Sequence, residues 1–307
     1  MDKNITSLGN EYMDNTIKKI KEIREAKKKQ LSKLEKTLQL IDVQYKDDIR
    51  EEIERLRPTD RALIGNILAI CKRSDRNLGR PEEDCKNSDE SIYVVVSPSR
   101  ESIITCKDLN NVAAKNGKFK FVSINYLIDQ ILEFNFTYIQ IALGAELQVF
   151  NGYYSIMSSV MREIGKERNN EIYTKLIVNK AIATAYSVLS DLEKGKFNQE
   201  QCNNRLFFIY NAINLAETYM EDKILSFCKN GTKFNEDIYN KYIRNYSQDS
   251  VDYIKERLKV LEKNTEEFPV VDKETAKLIK LTIKSNILEQ VVKEALDIVQ
   301  EDTDDNK

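Results

Sequence analysis

The chain has 307 residues, 41% of them hydrophobic and 32% charged, with a formal net charge of -2. A chain of this length buries one large core or two smaller ones, and near-neutrality excludes a bulk attraction for nucleic acid or anionic lipid. The sequence contains no His, which excludes Ser-His-Asp and Cys-His catalysis and His metal ligands, although Lys, Tyr and carboxylate chemistry stays open.

Residues 11–57 are predicted to form one long amphipathic helix, the N-terminal arm. Its apolar stripe has 3-4 spacing and runs through Leu31, Leu34, Leu38, Ile41, Tyr45, Ile49, Ile53 and Leu56. Pro58 ends the helix. A stripe this narrow is typical of a coiled-coil seam or a helical hairpin, although Lys27 occupies a seam position. A short helix over 60–73 completes a predicted helical arm domain, 1–73.

A polar loop over 74–91, which contains Gly79 and Pro81, is the predicted boundary after the arm. The pattern over 92–123 predicts a small ββαβ element. Its strands are IYVVV (92–96), ESIITC (101–106) and KFKFV (118–122), with a short helix capped by Asp108 before the third strand. A sheet of this size is marginal alone, so we expect it to pack on helices.

Residues 124–300 are predicted to form a multi-helix bundle, since the chain has only 9 Gly and 4 Pro. The helices are expected at 124–166, 171–194, 199–229, 236–264 and 272–300, followed by a disordered acidic tail at 301–307. Asn198, Asn235 and Asp272 stand at N-cap positions, and Gly195 and Gly231 stand where helix-ending glycines belong. The expected fold is therefore mainly α: a coiled-coil-like N-terminal arm, a C-terminal bundle and the small ββαβ element.

The stretch from Phe121 to Met161 contains no Lys and no Arg. A transmembrane helix needs about 20 apolar residues, whereas the longest uncharged run here, 147–161, is shorter and contains Gln, Asn and Ser, so no transmembrane segment is predicted. Two adjacent apolar stripes instead predict that 124–166 is a central helix surrounded by others. Residues 134–141 also alternate like a strand, so helix and strand both stay open there.

Glu146 falls near the middle of the apolar arc of that predicted helix, which makes it the candidate buried carboxylate. A carboxylate there must be paired or protonated. A salt bridge to Lys180 or Arg205 would make it structural, which is the favoured interpretation, while a polar pocket would make it a functional carboxylate.

Two groups of residues are candidates for partner or phosphate contacts. The segment 18–36 carries nine basic and three acidic residues, and its candidates are Lys18, Lys21, Arg24, Lys28, Lys29 and Lys33. The predicted helix over 236–257 places Tyr beside Arg, which suits single-strand stacking or a protein hot spot, and its candidates are Tyr239, Tyr242, Arg244 and Tyr246. Both patterns are more often a solvated coiled-coil face and an amphipathic bundle helix.

The favoured function is a non-catalytic helical interaction or scaffold protein that self-associates, or docks a protein partner, through the N-terminal arm. The alternatives are RNA or DNA binding by 18–36 and 236–257, and a membrane-active helical protein that inserts 134–161. No catalytic, cofactor-binding or metal-ligating residues are predicted, no cofactor is expected and an enzyme is disfavoured. Five scattered Cys without a CxxC pair predict free thiols, and the absence of an apolar leader in the first 15 residues predicts a cytoplasmic location.

Overall fold

The computed structural model describes residues 43–73, 75–85, 91–144, 146–149, 153–222, 234–266, 268 and 271–287. Several predictions therefore lie outside the described residues. These are the arm upstream of residue 43, including all six basic candidates of 18–36, together with Gly231, the end of the last helix and the 301–307 tail. Within the described residues the chain is mainly helical with one small mixed sheet.

The elements follow one another in three groups. The first comprises helices α1 (Val43–Arg55) and α2 (Pro58–Arg61) and strands β1 (Ile64–Arg73) and β2 (Ser91–Pro98). The second comprises α3 (Arg100–Thr105), β3 (Val112–Ala113), β4 (Phe119–Ser123), α4 (Ile124–Leu132), α5 (Phe136–Gly144) and β5 (Glu146–Val149). The third is helical: α6 (Tyr153–Ile164), α7 (Glu167–Glu193), α8 (Gln199–Asp222), α9 (Glu236–Ile238) with a following π-helical turn (Tyr239–Ile243), α10 (Gln248–Thr265) and α11 (273–287).

Five strands of the described part form one sheet in the order β3-β4-β2-β1-β5. Strands β2 and β4 are parallel, and the other neighbours are antiparallel. At the centre, Val94 of β2 lies opposite Ile70 of β1 on one side and Phe121 of β4 on the other. The run Tyr93 to Val96 is buried throughout, so the central strand has a covered face on both sides.

Alternate residues of the sheet belong to two separate hydrophobic clusters. Val94 and Val96 face helix α1, whose Ile49, Ile53 and Leu56 are buried against them. Tyr93 and Val95 face the opposite way, into the larger cluster formed with the helices from α4 onward. Since side chains alternate along a strand, the sheet is a middle layer between α1 and the helical bundle.

The helix boundaries in the bundle are set by the predicted caps. The side-chain oxygens of Asn198, Asn235 and Asp272 accept hydrogen bonds from the amides of Gln201, Ile238 and Thr275 at 2.9, 3.0 and 2.8 Å. Gly195, beyond the end of α7, has φ +64, the left-handed conformation that a side chain disfavours. These four cap predictions are confirmed. The expected strand over 92–96 and the third strand over 118–122 are also confirmed as parts of β2 and β4.

The predicted helix over 60–73 is wrong. Only Pro58–Arg61 is helical there, and Ile64–Arg73 is strand β1. The cause is tertiary, because a short apolar run is equally compatible with a buried strand, and this one pairs with β2 and β5.

The ββαβ prediction for 92–123 is correct at its two ends and wrong in between. The residues expected to form a second strand are helix α3, because the Ser99 hydroxyl caps it by accepting from the Ser102 amide at 3.0 Å. The helix expected after Asp108 is irregular backbone followed by the two-residue strand β3.

The single central helix predicted over 124–166 is also wrong. Phe134, with φ +53, ends the first part, so 134–141 is a left-handed turn followed by α5. Glu146–Val149 then forms β5, which pairs with Ala69, Ile70 and Cys71 of β1. Backbone pairing with the open edge of β1 outweighs the helical period of this stretch. The predicted helix over 236–264 is likewise divided, since the capping box of Ser247 with Ser250 starts a new helix, α10.

Candidate functional site

Helix α1, the described end of the predicted arm, is anchored to the sheet by a buried carboxylate. Glu52 accepts hydrogen bonds from the backbone amides of Lys118 at 2.6 Å and Phe119 at 3.1 Å. A Cβ at Gly117 would lie 2.4 Å from a Glu52 carboxylate oxygen, so a larger residue there would push that side chain away from the two amides. The Lys118 ammonium also pairs with Asp48 at 3.2 Å. Helix α1 is thus held to the sheet by apolar packing and by hydrogen bonds.

The predicted Tyr/Arg helix is brought together in space, but most of its aromatic surface is used inside the chain. Tyr239 is buried, and its hydroxyl donates to Asp84 at 2.9 Å. The rings of Tyr242 and Tyr253 are stacked with centroids 4.5 Å apart. Tyr246 is half-buried and packs against the main hydrophobic cluster. These side chains act mainly as structural contacts, as expected for an amphipathic bundle helix.

Three of the cations that flank these tyrosines are paired with carboxylates of the same chain. Arg244 pairs with Asp84 at 3.1 Å, and Lys255 pairs with Glu193 at 2.7 Å. Arg257 donates to Glu217 and to Asn214. Carboxylates that already neutralise these cations weaken the attraction that phosphate groups would feel, so the geometry does not favour this helix as a nucleic-acid surface.

Arg80 is a buried cation that the sequence pattern gave no reason to single out. It lies in the loop predicted as a polar boundary, with its guanidinium 2.9 Å from Asp75 and 2.7 Å from Asn204 of α8. Its charge also lies over the ring of Phe207, 5.1 Å from the centroid. The described part of the loop, 75–85, is therefore docked on the bundle rather than separated from it.

Glu146 lies on strand β5 opposite Cys71, and its side chain lies outside the described part of the molecule. The described residues contain two buried carboxylates, Glu52 and Glu163. Burial alone would raise the pKa of Glu163, but hydrogen bonds from Lys166 and Asn286 outweigh it and hold that pKa below its usual value. Glu163 thereby ties α6 to α11, a structural role of the kind expected for Glu146.

An open cleft of about 530 Å³ lies between α4 and α11. The α11 wall is basic and contributes Lys277, Lys280 and Lys284, together with Leu281. The α4 wall contributes Tyr126, Asp129 and Glu133, and the segment after α3 closes one end with Cys106 and Asp108. Lys284 and Asp129 form an ion pair across the cleft at 2.6 Å. The cleft thus has walls of opposite charge, and no motif in the sequence marked it.

Large aliphatic side chains are exposed on helices α3 and α11. Ile103 and Ile104 of α3, just before Cys106, are 50% and 70% exposed. Leu278 and Leu281 of α11, one helical turn apart, are 65% and 54% exposed. Of these residues Leu281 lines the cleft, and exposed aliphatic side chains beside a polar cleft are typical of interaction surfaces.

Four cysteines of the described part are free, as predicted: Cys71, Cys85 and Cys202 are buried, and Cys106 is exposed at the cleft. In the same part of the chain, no helix combines the length and the apolar character that spanning a membrane requires. Comparison of the chain with protein families, with curated proteins and with solved structures finds no match, so no relative lends it a function.

Proposed function

We propose that this chain is a non-catalytic interaction protein that self-associates through its N-terminal amphipathic arm. The observation that carries the proposal is the buried apolar face of α1, on which Ile49, Ile53 and Leu56 continue the stripe predicted for the arm. The sheet of the same chain packs against these three residues of α1. The part of the predicted stripe from Leu31 to Ile41 has the same 3-4 spacing, and its side chains need other apolar residues to pack against.

A second copy of the chain is the simplest source of that cover, because it carries the same stripe and closed homo-oligomers are the commonest assemblies. Glu52 fixes helix α1, the described end of the arm, to the turn before β4. A partner held by the arm is then held against the body of the protein. The free thiols accord with a reducing compartment, and a cytoplasmic location belongs to the same proposal.

Sedimentation velocity of the full chain tests the proposal. Wild type should sediment as a dimer or a larger species. Leu34→Glu combined with Leu38→Glu should shift it to monomer, because two charges enter the seam. Leu40→Glu is the matched control: at about 100° per residue, Leu40 falls on the far side of the same predicted helix and the assembly should persist.

Two outcomes would overturn the proposal. One is a wild-type chain that stays monomeric at every concentration tested. The other is equal dissociation by the seam variant and the Leu40→Glu control. Thermal unfolding of each variant, measured in parallel, separates loss of association from loss of the fold.

A further inference from the structure

The hairpin turn between β3 and β4 carries an Asn-Gly pair, Asn116-Gly117. The Gly117 amide closes this turn by donating to the Ala114 carbonyl at 2.9 Å. Asn116 itself is exposed, and its φ of +59 lies in the left-handed region that Asn tolerates better than most residues do. Its side-chain amide is therefore open to water at the end of a short hairpin, where local opening of a fold is easiest.

An Asn side chain that precedes Gly can lose ammonia without an enzyme. The Gly117 backbone nitrogen, once deprotonated by base, attacks Cγ of Asn116 and forms a new C–N bond, while the side-chain nitrogen takes up a proton and leaves as ammonia. Water then opens the succinimide ring at either carbonyl, which yields Asp or a β-linked isoaspartate. Gly hinders the attack less than other residues do, because no Cβ stands beside the attacking nitrogen. A neutral amide thus becomes a carboxylate, with water as the co-reactant.

Hydrogen bonds on both sides of the reacting bond restrain this step in the folded chain. Gly117 must first leave the Ala114 carbonyl. The next two amides, of Lys118 and Phe119, are held by the Glu52 carboxylate of helix α1 at 2.6 and 3.1 Å. Attachment of α1 therefore limits how often the turn opens, and a change that weakens the Glu52 contacts frees the Gly117 nitrogen more often.

We propose that Asn116 is a site of spontaneous deamidation and that its product weakens the attachment of helix α1 to the sheet. Gly117 lies directly against Glu52, since a Cβ added there would be 2.4 Å from a carboxylate oxygen. A new carboxylate one residue earlier repels Glu52, and a β-linked product lengthens the backbone just before the amides that Glu52 binds. The modification therefore acts on the same contact that restrains it, and this effect does not require self-association of the arm.

Ageing of the full chain at mildly alkaline pH tests the proposal, because base favours the deprotonated nitrogen. Every sample carries Asn151→Gln and Asn230→Gln, which remove the two other Asn-Gly pairs of the sequence. Chymotryptic peptides that span 110–119 are followed by mass spectrometry, and the deamidated fraction is separated by anion exchange. The peptide should gain the mass difference between a hydroxyl and an amino group, and it should do so faster when Glu52→Gln is added.

Hydrogen exchange measures the consequence for α1. At the Lys118 and Phe119 amides it should be roughly fivefold faster in the deamidated fraction, the factor that one hydrogen bond of ordinary strength contributes. Asn116→Asp should reproduce this acceleration without ageing. Asn116→Gly is the matched control, since Gly keeps the left-handed turn without a side-chain amide, and it should show neither the mass gain nor the faster exchange.

The inference fails on either of two results. One is a constant mass of the Asn116 peptide under conditions in which the urea-unfolded chain deamidates, which would show that the folded turn does not open to the reaction. The other is a deamidated fraction whose exchange at Lys118 and Phe119 equals that of the fresh protein, which would show that the modification leaves the attachment of α1 intact.

Discussion

The tyrosine-rich surface around α9 and α10 and the cleft beside α11 differ in how their polar and apolar groups are used. Around α10, Arg257 is paired with Glu217 and the ring of Tyr253 is stacked on Tyr242. In the other region, Leu281 lines the cleft and is 54% exposed, and Leu278, one helical turn away on α11, is 65% exposed. The chain itself supplies partners for the charged and aromatic side chains of the first surface, whereas aliphatic side chains in the second region are exposed to solvent. Exposed apolar side chains therefore indicate an interaction surface better than a high content of aromatic or basic residues does.

The strongest effect is expected where a charge is buried and paired, at Arg80. Arg80→Ala should lower the free energy of unfolding by about 3–5 kcal/mol, because it leaves Asp75 and Asn204 without their partner in a buried setting. Urea unfolding of the full chain measures it. Arg244→Ala is the control, since its guanidinium is more exposed and its loss should cost less than about 1 kcal/mol. Equal effects at the two positions would show that the burial of Arg80 adds nothing to its contribution.

Glu163 should give the next largest effect, and one that depends on pH. Its pKa is lowered in the folded state, so its contribution is present above the unfolded value near 4.5 and is lost as pH falls through the folded pKa. Glu163→Gln should therefore destabilise by roughly 1.5–3 kcal/mol at pH 7, and the difference from wild type should shrink toward pH 3. Thermal unfolding at several pH values checks this. A difference that stays constant down to pH 3 would contradict the assigned charge interaction.

Glu52 is expected to give a smaller effect, because a substituted amide keeps one acceptor. Glu52→Gln can still accept from one of the two amides, Lys118 or Phe119, and should destabilise by about 1–2 kcal/mol. Hydrogen exchange at the Lys118 and Phe119 amides should accelerate as the turn before β4 loosens. Unchanged exchange at these two amides would mean that α1 is held by its apolar contacts alone.

The smallest effect on stability is expected at the exposed side of α3. Ile104→Glu should change the free energy of unfolding by less than about 0.5 kcal/mol, because the side chain is 70% exposed. Urea unfolding measures it, and Val260→Glu, at a position 55% exposed on α10, is the matched control with an equally small expected effect. A large loss of stability in Ile104→Glu would show that α3 belongs to the core after all.

Local signals in the sequence predicted the parts of this fold that local chemistry determines. The side-chain caps at Asn198, Asn235 and Asp272 depend on hydrogen bonds a few residues away, and they were correct. Strands β1 and β5 were missed because their pairing joins residues far apart in the chain, where a helical period and a strand fit the same letters.

The candidate sites show the same contrast between what local sequence predicts and what only the fold reveals. Tyr239 and Arg244 were found as a surface pattern, but only the fold shows that Asp84 meets both of them. The cleft could not be predicted, since its walls come from helices α4 and α11, which no local motif connects. Ile103 and Ile104 are exposed on α3, a helix that replaces the strand predicted over 101–106.

The late position of β5 in the chain affects how this protein is made. Strand β1 is complete at Arg73, but its outer edge is paired only when Glu146–Val149 has been synthesised. At roughly 5–20 residues per second, ribosomal synthesis leaves that edge open for roughly 4–15 s. An unpaired apolar edge is a template for pairing with neighbouring chains. Pairing of this edge with other chains is therefore expected to be possible in this interval and to stop once β5 covers it.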